Sequence, residues 1–205
     1  ERVKAAWTEL VTDDDIVIIA GDISWGLKLD EAMADLDWIH ELPGQKVLLR
    51  GNHDLWWCRI QHLRTLYDDM HFLQNDCYYV EALDLAICGS RGWPTPDATT
   101  YTEHDEKMYL REQGRLRNSL VDAKKKGASR IIMAMHYPPA KVEETEFTRI
   151  MQEYGVTQCV YGHLHGMVAW NNGIKGEHGG IDYKLVSLDY LGAKPKLIYD
   201  SEQEM

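Results

Sequence analysis

Four short segments end in side chains that can bind metal ions or move protons. The apolar run 16–20 closes on "GD", with Asp22. The run 47–49 closes on "RGNHD", with Asn52, His53 and Asp54. The run 131–135 opens into "HYPP" at His136. The run 159–161 opens into "GHLHG", with His163 and His165. One such residue at a strand end is easily incidental, and a lone His136 is more often a satisfied core histidine. Four strand ends of the same kind are hard to credit to packing. Carboxylate, amide and imidazole donors without thiolate suit Mn, Fe or Zn rather than Cu(I) or an iron–sulfur cluster. In an extended segment His163 and His165 point to the same side. If the backbone turns there, they diverge and can serve two ions. A carboxylate such as Asp22 can bridge an ion pair about 3.5–4 Å apart, which clamps an in-line displacement at phosphorus.

These residues must be held by elements that the pattern also predicts. Continuous apolar runs of this length fit strands covered on both faces, and a fifth, 85–88, leads into "GSRGW". Between them, "LDEAMADLDWIHELPG" places Leu29, Met33, Leu36 and Ile39 on one helical stripe that Pro43-Gly44 stops. The long segment from Thr102 opens with a capping pattern to Asp105. It ends in three lysines and Gly127. "EETEFTRIMQEYG" repeats the pattern up to Gly155. Beyond Met167, "VAW", "YKLVSLDY" and "KLIYD" read as antiparallel strands, with the Gly-rich "NNGIKGEHGG" as a loop. Ligand sites in open α/β sheets collect at the carboxyl ends of strands. The expectation is one α/β domain over 1–205, with a mixed sheet or two packed sheets flanked by helices.

Composition narrows the function classes. Hydrophobic residues make up 44% and charged residues 27%, an ordinary globular balance. The net charge of −11 disfavours long nucleic acid and anionic membranes. Four cysteines form no C-x-x-C pair, and Cys88 and Cys159 lie in apolar runs as buried free thiols, so a reducing, cytoplasmic setting is the simplest expectation. No apolar run approaches about 18 residues.

"GD" at 21–22, "GNHD" at 51–54, a strand-end His136 and "GHLH" at 162–165 resemble, in order and rough spacing, the calcineurin-like metallophosphoesterases. With "GDISW" and "HYPP" the chain is most similar to bacterial predicted phosphohydrolases of that family. The resemblance implies a four-layer α/β/β/α sandwich with two divalent metal ions between its sheets. It implies hydrolysis of a phosphomono- or phosphodiester by metal-bound hydroxide. By resemblance, Asp22 bridges both metals, Asn52, His136 and His163 complete one site, and His165 belongs to the other. His53 assists the leaving group as general acid or transition-state stabiliser, Asp54 orients its imidazole, and Asn52 touches metal and phosphate. Arg91 and Trp93, in the loop after 85–88, can reach a substrate.

The family's Asp-x-His motif, expected on a strand before the GD strand, does not occur upstream of Asp22. The segment 1–10 reads instead as the helix that follows such a strand. The chain is therefore expected to begin inside a longer protein, to lack the first strand of its sheet, and to hold one metal site poorly. Made alone, it is expected to be unstable or weakly active. The competing function is a non-catalytic member of the fold that docks a protein partner. A zinc hydrolase of the β-lactamase type lacks its H-x-H-x-D-H signature. The substrate, a small phosphoester or a phosphoprotein, is not written in the sequence.

Overall fold

The computed structural model describes residues 1–202. The elements run α1 (Arg2–Leu10), β1 (Ile16–Ile19), α2 (Leu29–His40), β2 (Gln45–Leu48), α3 (Ile60–Leu63), β3 (Met70–Phe72), β4 (Cys77–Val80), β5 (Leu85–Ser90), α4 (Glu103–Lys125), β6 (Arg130–Met135), α5 (Glu146–Glu153), β7 (Gln158–Tyr161), β8 (Gly176–His178) and β9 (Ile181–Leu185). They build two sheets, a parallel one ordered β1-β2-β3 and a mixed one ordered β4-β5-β6-β7-β9-β8. In the second, β5, β6, β7 and β9 are parallel, and the outer strands β4 and β8 pair antiparallel.

The period-two alternation of strand side chains divides each strand between two cores. Val47 and Leu49 meet Ile87, Ala134 and Val160 in an apolar layer between the sheets. On the outer face of the small sheet, Leu48 and Phe72 pack on Leu36 and Ile39 of α2 and on Trp56 and Trp57. On the outer face of the large sheet, Cys88, Met133 and Cys159 meet Leu116 and Leu120 of α4 and Phe147 and Ile150 of α5. Helix, sheet, sheet and helix thus form the four layers of the expected metallophosphoesterase sandwich.

The helix signals have direct counterparts. Thr102 and Asp105 form the capping box that starts α4, and Thr145 and Thr148 form one at α5. Each such cap stabilises a helix by about 1 kcal/mol. β1 is an edge strand of the small sheet, and its four residues are half-buried rather than covered on both faces.

The tail departs from the reading as antiparallel strands. Residues 169–172, within and after "VAW", form a 3-10 turn, and Trp170 packs its ring on Tyr190 at 5.3 Å. "YKL" lies in β9, which is parallel to β7, while residues 186–187 are irregular and 188–190 begin a turn. "KLIYD" forms no strand; Leu197 is exposed, while two of its residues find partners elsewhere. Ile198 joins the layer between the sheets, and Tyr199 bonds and stacks with Arg130. The Gly-rich loop contains β8, where His178 is exposed and its Nε2 lies 3.0 Å from the Lys175 carbonyl. Cys77 is buried along with Cys88 and Cys159, Cys58 is exposed, and all four are free thiols. No described helix is long and apolar enough to cross a membrane.

Candidate metal centre

Parallel register sets the site. Ile19 pairs with Leu48 and Met135 with Tyr161, so the carboxyl ends of β1 and β2 are level, as are those of β6 and β7. Asp22, Asn52, His136 and His163 follow within four residues of those ends. Their donor atoms converge. Asn52 Oδ1 lies 2.7 Å from His136 Nε2 and 2.9 Å from His163 Nδ1. His136 Nε2 is 3.2 Å from His163 Nδ1 and 3.4 Å from Asp22 Oδ2.

This group fits a metal ion on its own chemistry. His136 Nδ1 faces the Ala20 carbonyl at 2.9 Å, and a carbonyl only accepts, so Nδ1 carries the proton. Nε2 is then a lone pair, opposed to an amide oxygen and a carboxylate oxygen. Acceptors facing acceptors need a cation among them. Ligand bonds of about 2.0–2.2 Å place neighbouring ligand atoms roughly 2.8–3.1 Å apart in octahedral and about 3.3–3.6 Å apart in tetrahedral geometry. The observed separations, 2.7 to 3.4 Å, lie close to these values. Burial pushes the His163 imidazole down to about 4, with the nearby His136 adding to the effect. His136 is also lowered, first by burial and against the pull of Asp22. Both rings are therefore neutral ligands at neutral pH.

Two of these residues sit in the left-handed region, Asp22 at φ 56 and His163 at φ 67. Such positions cost about 1–3 kcal/mol and persist where the surroundings hold them. Here the GD and GNHD loops cross at contact distance. A Cβ on Gly51 would stand 2.1 Å from Asp22 Oδ1, and one on Gly21 would stand 2.7 Å from both the Gly51 amide and His136 Nδ1. The glycines of both motifs are there because two backbones meet.

His165 does not join the cluster. Asp22, His136 and His163 form a group whose ligand atoms lie within 4.8 Å of one another, and His165 is outside it. His165 is mostly exposed, and its Nδ1 is 3.0 Å from Asp189 Oδ1. Asp189 also accepts from the Gly166 and Tyr190 amides. Although burial raises its pKa, these bonds hold the carboxyl below its usual value. A carboxylate behind an imidazole fixes its tautomer and raises its basicity as a ligand, leaving His165 Nε2 free to bind.

Asp54 departs from the expected orienting role. It is fully buried and has no bond to the His53 ring. Its Oδ2 accepts from the Asp22 and Gly51 amides at 2.8 and 2.7 Å. Its Oδ1 accepts from the Ile23 and Ser24 amides at 2.8 and 3.1 Å and from Trp56 Nε1 at 3.0 Å. The side chain is a clamp between the two ligand loops. His53 is oriented by other contacts. Its amide donates to Asp22 Oδ1 at 2.8 Å, and its exposed ring lies 4.1 Å from Trp25, itself 75% exposed.

Trp25 and Tyr137 stand in the quoted "GDISW" and "HYPP" segments, yet their roles depend on neighbours distant in sequence. The Tyr137 ring lies 4.2 Å from His163 and 5.9 Å from Trp93. Trp93 is half-buried and donates Nε1 to Asp105, and the Arg91 guanidinium rests 4.6 Å above it. Arg91 and Trp93 are thus linked to the centre through Tyr137. Asp189 gave no signal in sequence, because "SLDY" reads as a strand.

The imidazoles make a pH prediction for the chelated chain. Both have folded pKa values below the unfolded value of 6.5, so the unfolded chain takes up protons first as pH falls. The His163 contribution to stability is complete above about pH 6.5 and is lost as the pH falls through about 4, and the His136 contribution changes in the same direction. Urea midpoints measured between these limits should fall, and less steeply in His163→Gln. Parallel slopes for the two proteins would refute this cause.

Comparison with known proteins identifies the family. A segment of 49 residues is 49% identical to the Gene 66 protein of Mycobacterium phage L5, covering 24% of this chain and 23% of that protein. The calcineurin-like phosphoesterase profile matches residues 2–167, from α1 through the GHLH segment and so across all four ligand-bearing strand ends, and the chain belongs to the calcineurin-like phosphoesterase family.

Proposed function

We propose that the chain is a metal-dependent phosphohydrolase acting on a small phosphoester or a phosphoprotein. The observation that carries this reading is the convergence of ligand atoms of Asp22, Asn52, His136 and His163 at one point. A docking module has no use for that arrangement. Asp22, Asn52, His136 and His163 would hold one ion, and Asp22 with His165 and a further donor would hold a second. Manganese, iron and zinc all suit these donors. Bound divalent ions would neutralise charge at phosphorus and lower the pKa of water.

The chain's own residues supply the rest. Asp54 fixes the spacing of the GD and GNHD loops. His136 is held by the Ala20 carbonyl so that Nε2 faces the centre. His53 stands beside Asp22, with its imidazole outward against Trp25, where a leaving group departs. In the protonated form it delivers a proton to the departing oxygen.

The test compares leaving groups. With Mn²⁺ added, His53→Ala should lower kcat for an alkyl phosphate by about 100-fold or more, the ordinary worth of a positioned acid. The loss for 4-nitrophenyl phosphate should be much smaller, because nitrophenolate departs without a proton. Equal losses would remove His53 from the acid role. His136→Ala should lower both activities together with metal content measured by elemental analysis. If activity on phosphomono- and diesters survives it, the hydrolytic reading is wrong.

A further inference from the structure

A group of arginines beside the centre is not used by the chemistry above. Three guanidinium groups lie within ion-pair distance of a single oxygen, Glu112 Oε1. Arg115 Nη1 is at 2.9 Å, Arg111 Nη2 at 3.8 Å and Arg91 Nη2 at 3.9 Å. Glu112 is fully buried, and its other oxygen accepts from Ser90. Arg50 lies within electrostatic reach of all three arginines and of Glu112. It donates Nε to the Asp54 carbonyl at 3.1 Å.

Three guanidinium groups face the Glu112 carboxylate and Arg50 adds a fourth nearby, against the two carboxylates Glu112 and Asp54, an excess of positive charge in a chain of net charge −11. Burial lowers the pKa of Arg91 against the pull of Glu112, and the neighbouring Arg50 and Arg111 charges lower it further. A scaffold that needs only to neutralise Glu112 has no reason to gather four. Arg91 Nε is buried with no hydrogen-bond partner among the described residues, so a donor is held ready. Arg111 and Arg115 are partly exposed and open the cluster to solvent. The Arg91 carbonyl accepts from the Tyr137 amide, and the Tyr137 ring packs against His163. The cluster therefore adjoins the metal centre across one aromatic side chain.

We propose that Arg50, Arg91, Arg111 and Arg115 bind a second phosphate group of the substrate, which makes the chain selective for bisphosphorylated small molecules. Guanidinium groups are the preferred partners of phosphate because their paired donors match its oxygens. The Tyr137 ring between the two sites requires the phosphates to be joined by a spacer of several bonds. This specificity rests on the hydrolytic reading, but the binding site does not.

Two measurements separate the claims. The first compares kcat/KM for pentane-1,5-diyl bisphosphate with that for pentyl phosphate. The ratio should be about tenfold or more, the worth of one or two charge-assisted contacts. It should fall towards one in Arg111→Gln/Arg115→Gln, which alters only partly exposed positions on α4. The second is calorimetry on the chelated chain, which should bind the bisphosphate at least about tenfold more tightly than the monophosphate. A ratio that the double variant does not change would overturn the proposal, as would equal binding of the two probes without metal. If neither ester is hydrolysed, the hydrolytic reading fails, and calorimetry still decides the arginine site.

Discussion

Asp54→Asn is expected to destabilise the fold by about 3–5 kcal/mol, the usual penalty for breaking a buried charged network. The substitution keeps shape and volume, so packing is not the cause. The carboxylate accepts five N–H donors, two on one oxygen and three on the other. An amide has one oxygen. Whichever way it turns, its NH₂ faces at least two donors that then lose their acceptor. Total stabilities of single domains are about 5–15 kcal/mol, so the loss is a large share. The donors include the Asp22 and Gly51 amides, and metal retention should fall with stability. Urea unfolding followed by circular dichroism, with metal content of the folded fraction, checks both. A shift under about 1 kcal/mol would mean that the clamp is not what joins the loops.

Gly51→Ala should leave the fold largely in place and disable the centre. Gly51 does not have a positive φ, so the cost is contact alone. The added methyl would meet Asp22 Oδ1 at 2.1 Å and the Asp22 amide at 2.2 Å, and neither is the end of a flexible chain. The GD and GNHD loops must separate by about 1 Å or more to admit it. That displaces Asp22 from His136 and Asn52. Misplacement on that scale costs about 100-fold in rate, and overpacking costs about 1–3 kcal/mol in stability. Phosphoester hydrolysis should therefore fall more than about 100-fold while the unfolding transition stays cooperative. Retention of activity within about threefold of the parent would show that the loops yield without moving the ligands.

The two substitutions show where sequence reading stops. The five parallel strands read from apolar runs, the main helices and the four converging ligands were legible because each depends on local order. An apolar run buried on both faces must end, and its first polar residues fall at the sheet's carboxyl edge. Parallel register then brings distant ends level, so Asp22, Asn52, His136 and His163 meet. Helix caps at Thr102 and Thr145 are written within four residues. Other features rest on contacts that no local pattern encodes. Asp54 stands beside His53 in sequence, but three of its five donors, the Asp22, Ile23 and Ser24 amides, lie 30 to 32 residues upstream, because the loops cross at Gly21 and Gly51. The tail beyond Leu185 has strand-like composition, yet packing between the sheets satisfies Ile198 without a ladder. His165 finds Asp189, and Arg50, Arg91, Arg111 and Arg115 find one another, only after β2, β5 and α4 pack together. Sequence by itself determined which side chains stand at the strand ends, because burial and period-two alternation act along the chain. The tertiary structure decided which partners hold them, because hydrogen bonds and ion pairs act across it.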